Sequence, residues 1–225
     1  MPKTADSISL HLRAGLVCAA AFVALTALVA VRGLPSRSAF PGDLELVAWA
    51  LSLRTGWLTT VVQGLSFLSS AAPALAMTLL VTVLEWMGHK RRPLSAAWAV
   101  LALAGAAACN VTVRVAMARL RPAVDYIPNL LPEIQTDWQR FSYPSGHATA
   151  AVVLCGAVVA LAWPRPAWRW TMLLLAVVIS GLVGFGRVYL GVHWPSDVVG
   201  GYLLSGVWLG LGLAWRRWAA KPGER

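Results

Sequence analysis

Apolar residues run through this chain in long unbroken stretches, and the charges fall between the stretches. Residues 14–31 carry no charge for 18 positions, enough for one helix across a hydrocarbon core about 30 Å thick. A cleaved signal peptide has a similar look, but the small-x-small pattern that should follow is poor, so a retained span is expected. Residues 55–84 carry no charge over 30 positions. One helix of that length would measure roughly 45 Å, too long for a single core. Gly64, Ser69, Ser70 and Pro73 mark a break, which places a second span at 71–88 and a surface-lying segment at 43–70. In that segment Leu44, Val47, Ala48 and Leu51 share one side, with Asp43, Glu45 and Arg54 elsewhere, the pattern of an interfacial helix. Runs at 93–114, 147–163, 170–187 and 198–215 predict four more spans, with a proline-containing outer loop at 119–144. The fold class is all-α: one domain over residues 1–225, built as a six-span transmembrane helical bundle with its active site at the outer membrane–water interface.

Six spans put both termini on one side. Lys3 and Arg13, the His89–Lys90–Arg91–Arg92 cluster, the Arg165/Arg169 turn and the tail with Arg216, Arg217, Lys221 and Arg225 all fall on that side. The positive-inside rule makes it cytoplasmic. Arg114, Arg121, His147, Arg187, His193 and Asp197 then gather at the opposite, outer face, delivered by four spans. Unrelated boundary charges have no reason to collect histidines there.

Composition changes the picture little. The chain of 225 residues is 58% hydrophobic and 12% charged, with a mean hydropathy of +0.66. Soluble domains carry about 25% charged residues. The formal charge of +10 does not indicate nucleic acid, because the basic residues are scattered at run ends rather than gathered on one face. Cys18, Cys109 and Cys155 sit inside apolar runs with no CxxC spacing, so they offer no disulfide framework or thiolate metal site.

The candidate chemistry lies in three pieces. Arg114 and Arg121, seven apart, point one way if the helix continues to Pro122. Tyr143–Pro144–Ser145–Gly146–His147 has the residues of a helix start, where free backbone N–H groups bind anions and glycine permits close approach. Arg187, His193 and Asp197 follow at spacings of six and four. A histidine held by an aspartate serves as base or nucleophile, and the neighbouring arginine suits a phosphate.

Arg-x6-Arg-Pro, Pro-Ser-Gly-His and Gly-Arg-x5-His-x3-Asp, in that order and at span ends on one face, resemble the signature of the type 2 phosphatidic acid phosphatase superfamily. The resemblance covers about Asp43 to Arg217. Two positions depart from the family pattern: Arg114 stands where lysine is usual, and Gly186 where serine is usual.

The resemblance implies a lipid phosphatase of a bacterial cell (inner) membrane, acting on undecaprenyl diphosphate, phosphatidylglycerophosphate or phosphatidic acid. His193 would attack phosphorus and form a phosphohistidine, with Asp197 holding its ring. His147 would protonate the leaving oxygen and then activate water. Arg114, Arg121, Arg187 and the N–H groups at Ser145, Gly146 and His147 would bind the phosphate oxygens. No metal and no cofactor is expected, because the arginines supply the positive charge and Asp125, Glu133 and Asp137 are scattered. The expected partners are the lipid phosphate and the bilayer. Ile127, Leu130, Leu131, Trp138 and Phe141 are candidates to cover the site. A phosphotransferase using the same phosphohistidine, and a non-enzymatic lipid-binding or transport protein, are the alternatives.

Overall fold

The computed structural model describes residues 3–33, 39–89, 93–122 and 140–220. The described residues are helical throughout, apart from turns and one isolated bridge. The helices are α1 (Lys3–Gly33), α2 (Asp43–Ser52), α3 (Gly56–Leu68), α4 (Ala71–His89), α5 (Pro93–Ala96), α6 (Trp98–Met117), α7 (Gly146–Ala162), α8 (Pro166–Tyr189) and α9 (Pro195–Ala219).

Four helices are individually long and apolar enough to cross a membrane: α1 over Ile8–Val31, then α6, α8 and α9. α3 and α4 qualify together but bend by 57° between them. α7 is apolar but shorter, at 17 residues. The surface suits hydrocarbon: Leu16, Val17, Leu174 and Val177 are each more than 60% exposed, while Asp43, Glu85, Arg119, His193 and Asp197 are buried. Polar groups inside and large apolar side chains outside are what a bilayer demands of a helical bundle.

Several expected boundaries shift for physical reasons. The first apolar stretch begins at Ile8 rather than residue 14, because a charged side chain such as Arg13 can reach toward the interface from inside a helix end. The segment 43–70 folds as two helices, α2 and α3, with the break between them at residues 53–55. Asp43 lies on the buried face of α2 with Val47 and Ala50, at i, i+4, i+7, while Leu44 is exposed. The run at 93–114 opens as a four-residue turn, α5, before α6 begins at Trp98. α6 stops at Met117, where Ala118 turns left-handed at φ 45°. Residues 123–139, with Asp125, Ile127, Leu130, Leu131, Glu133, Asp137 and Trp138, lie outside the described residues. So do residues 90–92 and 221–225.

α9 is the hub. α1 lies along it closely enough that a Cβ on Gly210 would stand 2.8 Å from the Gly15 Cα. α7 meets α9 at Gly201, where a Cβ would stand 2.6 Å from the Ser145 carbonyl oxygen. Small residues let helix backbones approach in this way without a hydrophobic driving force. Away from the site, Arg216 of α9 is buried rather than solvated: its Nε donates to Glu85 of α4, and Nη2 donates to the Ala160 carbonyl at 3.2 Å. Trp98 Nε1 donates to the other Glu85 oxygen at 2.8 Å. The start of α1 packs beside Gly210 of α9, so the described chain ends share the end of the bundle opposite the site.

Candidate active site

At the other end, four helix termini converge: the C-termini of α6 and α8 and the N-termini of α7 and α9. After α8, Gly191 adopts φ 71°, a left-handed conformation that glycine enters without penalty. The turn folds back, and the N–H groups of Val192 and His193 donate to the Arg187 carbonyl at 3.2 and 3.3 Å. His193 is thereby fixed against the end of α8. Pro195 then opens α9, and Asp197, in its first turn, accepts the Trp194 N–H on Oδ2 at 2.8 Å. A carboxylate there also complements the helix dipole.

His193 is 1% exposed. Its Nδ1 lies 3.5 Å from Asp197 Oδ2, a near contact longer than a hydrogen bond. Its Nε2 lies 3.3 Å from Arg121 Nη1. A guanidinium only donates, so Nε2 must accept, which puts the ring proton on Nδ1, facing Asp197. Burial first, then the charges of Arg121, Arg187 and Arg114, hold His193 well below the ordinary imidazole range. It is therefore neutral, with its Nε2 lone pair directed at Arg121.

Arg121 arrives by a route other than the expected helix. Beyond Ala118 the chain runs extended against residues 140–142: Leu120 bridges Phe141, Arg121 N–H donates to the Arg140 carbonyl, and Ser142 N–H donates to the Arg119 carbonyl. Arg121 Nη1 also donates to the Val192 carbonyl at 2.7 Å. Burial, and after it the charge of Arg114, lowers its pKa to about 10, so it stays cationic at neutral pH.

Arg114, still on α6, donates from Nη2 to Asn110 Oδ1 at 2.8 Å and to the Pro144 carbonyl at 3.2 Å. Gly146 lets it come this close: a Cβ there would stand 3.1 Å from Arg114 Nη2. Ser145 caps α7, with Oγ accepting the Ala148 N–H at 3.5 Å. Its own N–H donates to the Asp197 carbonyl at 3.0 Å. That corrects the expectation that Ser145 N–H faces phosphate. Gly146 and His147 remain in the first turn of α7, where N–H groups have no intrahelical acceptor. His147 lies within the fields of Arg187, Arg121 and Arg114. All eight sequence-identified residues thus meet at one end of the bundle.

Arg114 Nε, Arg119 Nε and Arg187 Nε are buried at this end with no hydrogen-bond partner among the described residues, as is Arg169 Nε away from it. Buried donors of this kind are rare, and at the site an anion's oxygens would supply acceptors for those of Arg114 and Arg187. No group of three or more His, Cys, Asp and Glu suited to a metal occurs among the described residues.

Sequence reasoning missed two charged residues here. Arg119 is 2% exposed and Asp43 is 3% exposed. Arg119 donates from Nη1 to Asp197 Oδ1 and from Nη2 to Asp43 Oδ2, both at 2.7 Å. The Arg-Leu-Arg-Pro run was the available signal, since three arginines within eight residues exceed what a membrane boundary needs. Asp43 carried no comparable signal.

Residues 95–221 match the PAP2 superfamily. An undecaprenyl-diphosphatase of Sulfolobus acidocaldarius is 46% identical over 94 residues, so the chain spans only 41% of that relative's length. Phosphatidylglycerophosphatase B of Bacillus subtilis is 29% identical over 160 residues, 69% of this chain and 74% of its own. The crystal structure of a transmembrane PAP2-type phosphatidylglycerolphosphate phosphatase from Bacillus subtilis superposes with a TM-score of 0.71 at 25% identity, over 89% of this chain and 93% of that one. Arginines, paired histidines and an aspartate at four converging helix ends, together with the family match over most of the chain that supplies them, place this protein in the PAP2 superfamily of type 2 phosphatidic acid phosphatases.

Proposed function

We propose that this protein hydrolyses a phosphomonoester or diphosphate on a membrane lipid through a phosphohistidine, without a metal. The observation that carries the reading is His193, buried and neutral, with Asp197 beside Nδ1 and Arg121 on Nε2. Neutral imidazole is the nucleophilic form. An incoming phosphate draws Arg121 onto its own oxygens and frees the Nε2 lone pair. Nε2 attacks phosphorus, and the bond from phosphorus to the leaving oxygen breaks. His147, which takes up a proton once the anionic phosphate offsets the charges of Arg187, Arg121 and Arg114, gives that proton to the leaving oxygen. Water then attacks phosphorus as the phosphorus–nitrogen bond breaks, and its proton passes to His147, releasing phosphate and restoring neutral His193.

Asp197 stabilises the imidazolium that forms. Arg114, Arg121, Arg187 and the first N–H groups of α7 stabilise the equatorial oxygens, where transition-state charge spreads. One such preorganised donor is typically worth about 3–4 kcal/mol.

The substrate class is a lipid with its phosphate at headgroup level. The relatives' names favour undecaprenyl diphosphate and phosphatidylglycerophosphate over phosphatidic acid. The chain crosses the membrane six times, counting α3–α4 as one bent span and α7 as a short one. Both termini are cytoplasmic, and the site opens outward at a bacterial inner membrane.

Purified protein supplied with each lipid phosphate, excess chelator and no acceptor but water should release inorganic phosphate from at least one. Release that needs added magnesium, or an alcohol acceptor, would reject metal-free hydrolysis.

A further inference from the structure

Arg119 stands outside the phosphate pocket, yet it is the most heavily engaged cation beside it. Nη1 donates to Asp197 Oδ1 at 2.7 Å and to Ser196 Oγ at 2.8 Å. Nη2 donates to Asp43 Oδ2 at 2.7 Å. Asp43 in turn accepts the Ser196 N–H at 2.9 Å, the Ser196 hydroxyl at 2.5 Å and the Phe40 N–H at 3.1 Å. The Trp194 ring covers the guanidinium, whose carbon lies 5.5 Å from the ring centroid. Trp194 is itself tied by Nε1 to the Leu120 carbonyl at 2.9 Å. The guanidinium is therefore fixed on several sides.

The consequence falls on Asp197. Its Oδ1 is taken by Arg119, while Oδ2 is left to the Trp194 N–H and His193 Nδ1. Without Arg119 the carboxylate keeps the Trp194 N–H on Oδ2 but loses the charged donor that fixes Oδ1. Two carboxylates, one of them beside the nucleophile, would also be buried without their shared cation, which is strongly unfavourable. Helix α2 thus reaches the reacting histidine through a chain running Asp43, Arg119, Asp197, His193. That gives the buried aspartate at the start of α2, beside the exposed Glu45, a purpose.

We infer that Arg119, anchored by Asp43, is a positioning residue that orients Asp197 and through it selects the His193 tautomer with Nε2 unprotonated. The inference rests on the reading of His193 as the nucleophile. It differs from a phosphate-binding role, because both Arg119 amino groups are engaged by carboxylates and the Trp194 ring covers the guanidinium, which leaves only Nε without a hydrogen-bond partner. It also differs from a purely structural role, because its effect passes through Asp197.

The test uses the full-length protein in detergent with 15N-labelled histidine, an aryl phosphate substrate, and the variants Arg119→Lys and Arg119→Gln, alone and combined with Asp197→Asn. Arg119→Lys keeps the charge but cannot fork between two carboxylates, so it carries the test if Arg119→Gln does not fold. kcat should fall about 10²-fold, the scale of a small misplacement of a reacting group, with KM and vanadate inhibition unchanged. In the Asp197→Asn background the same substitution should have no further effect. The His193 nitrogen signals, identified by their loss in His193→Ala, should show a single tautomer in the native chain and a mixture in either Arg119 variant.

A KM increase in place of the kcat loss, an equal loss in the Asp197→Asn background, or unchanged His193 signals would each overturn the inference. Absence of phosphate release from every lipid phosphate by the native chain would reject the proposed function instead, and the nitrogen spectra would still decide the role of Arg119.

Discussion

Gly186 of α8 faces Val62 of α3 so closely that a Cβ on the glycine would stand 2.9 Å from Val62 Cγ1. The glycine suits a position where the family usually has serine, because the Val62 side chain of α3 fills the space that a side chain there would need. Gly186→Ser should therefore destabilise the protein by about 1–3 kcal/mol, the usual range for overpacking, and reduce activity by shifting Arg187. Val62→Ala in the same chain should restore both. Thermal unfolding and turnover of the single and double variants decide it; a double variant no better than Gly186→Ser alone would show that the contact is not the cause.

The same contact illustrates what a sequence hides. Apolar runs and the charges between them revealed the membrane helices, because hydrocarbon excludes charge whatever the packing. Arg114, His147, Arg187, His193 and Asp197 were legible for a related reason: each interrupts an apolar run at an end where polarity is expensive. Arg121 was assigned to the site but by the wrong path, since the left-handed residue that ends α6 is an alanine, with no glycine to announce it. Asp43 and Arg119 pair across 76 positions, and no local pattern carries such a partnership. The burial of Arg216 on Glu85 was hidden likewise, because a basic residue at the end of a span reads as a solvated anchor.

That inner pair gives a stability prediction separate from catalysis. Glu85→Gln leaves Arg216 buried without its countercharge. Breaking a buried pair by removing one partner typically costs about 3–5 kcal/mol. The variant should melt well below the native protein, while the protein that remains folded keeps its kcat, since the pair lies at the far end of the bundle. A large fall in kcat at full stability would show instead that the two ends are coupled.

Topology can be read by labelling. Arg140 is exposed beside the site, and Ala220 is exposed beyond α9 at the other end. With Cys18, Cys109 and Cys155 replaced, Arg140→Cys should react with an impermeant thiol reagent in intact cells, and Ala220→Cys only after permeabilisation. The reverse pattern would invert the proposed orientation.

His193 also fixes a sign for acid stability. In the folded chain burial and the arginines keep it neutral, whereas in the unfolded chain it gains a proton below about pH 6.5. The unfolded state then binds more protons, so stability falls as pH falls below that value, by up to about 1.4 kcal/mol per pH unit from this group. His193→Asn should flatten the acid side of a plot of melting temperature against pH. An unchanged slope would mean that His193 becomes charged in the folded protein and is not held neutral.

The two histidines are separated by their substrates. His193 makes the covalent bond, so His193→Ala should abolish turnover and phosphoenzyme alike. His147 moves protons, so His147→Ala should slow departure of a lipid alkoxide by about 10²–10⁴-fold, the usual worth of general acid catalysis. The defect should shrink on an aryl phosphate, whose leaving group departs without a proton. Asp197→Asn should keep the fold but favour the wrong ring tautomer, because an amide donates where the carboxylate only accepts. Arg119 donates to one Asp197 oxygen and the Trp194 N–H to the other, so an amide leaves one of these donors without an acceptor whichever way it turns. With its nitrogen toward His193 Nδ1 it favours a proton on Nε2, the atom that has to attack. Rapid-quench trapping of acid-labile phosphoenzyme, with both substrates and each variant, reads all of these. A phosphoenzyme in His193→Ala, or a His147→Ala defect equal on both substrates, would show that the roles are assigned wrongly.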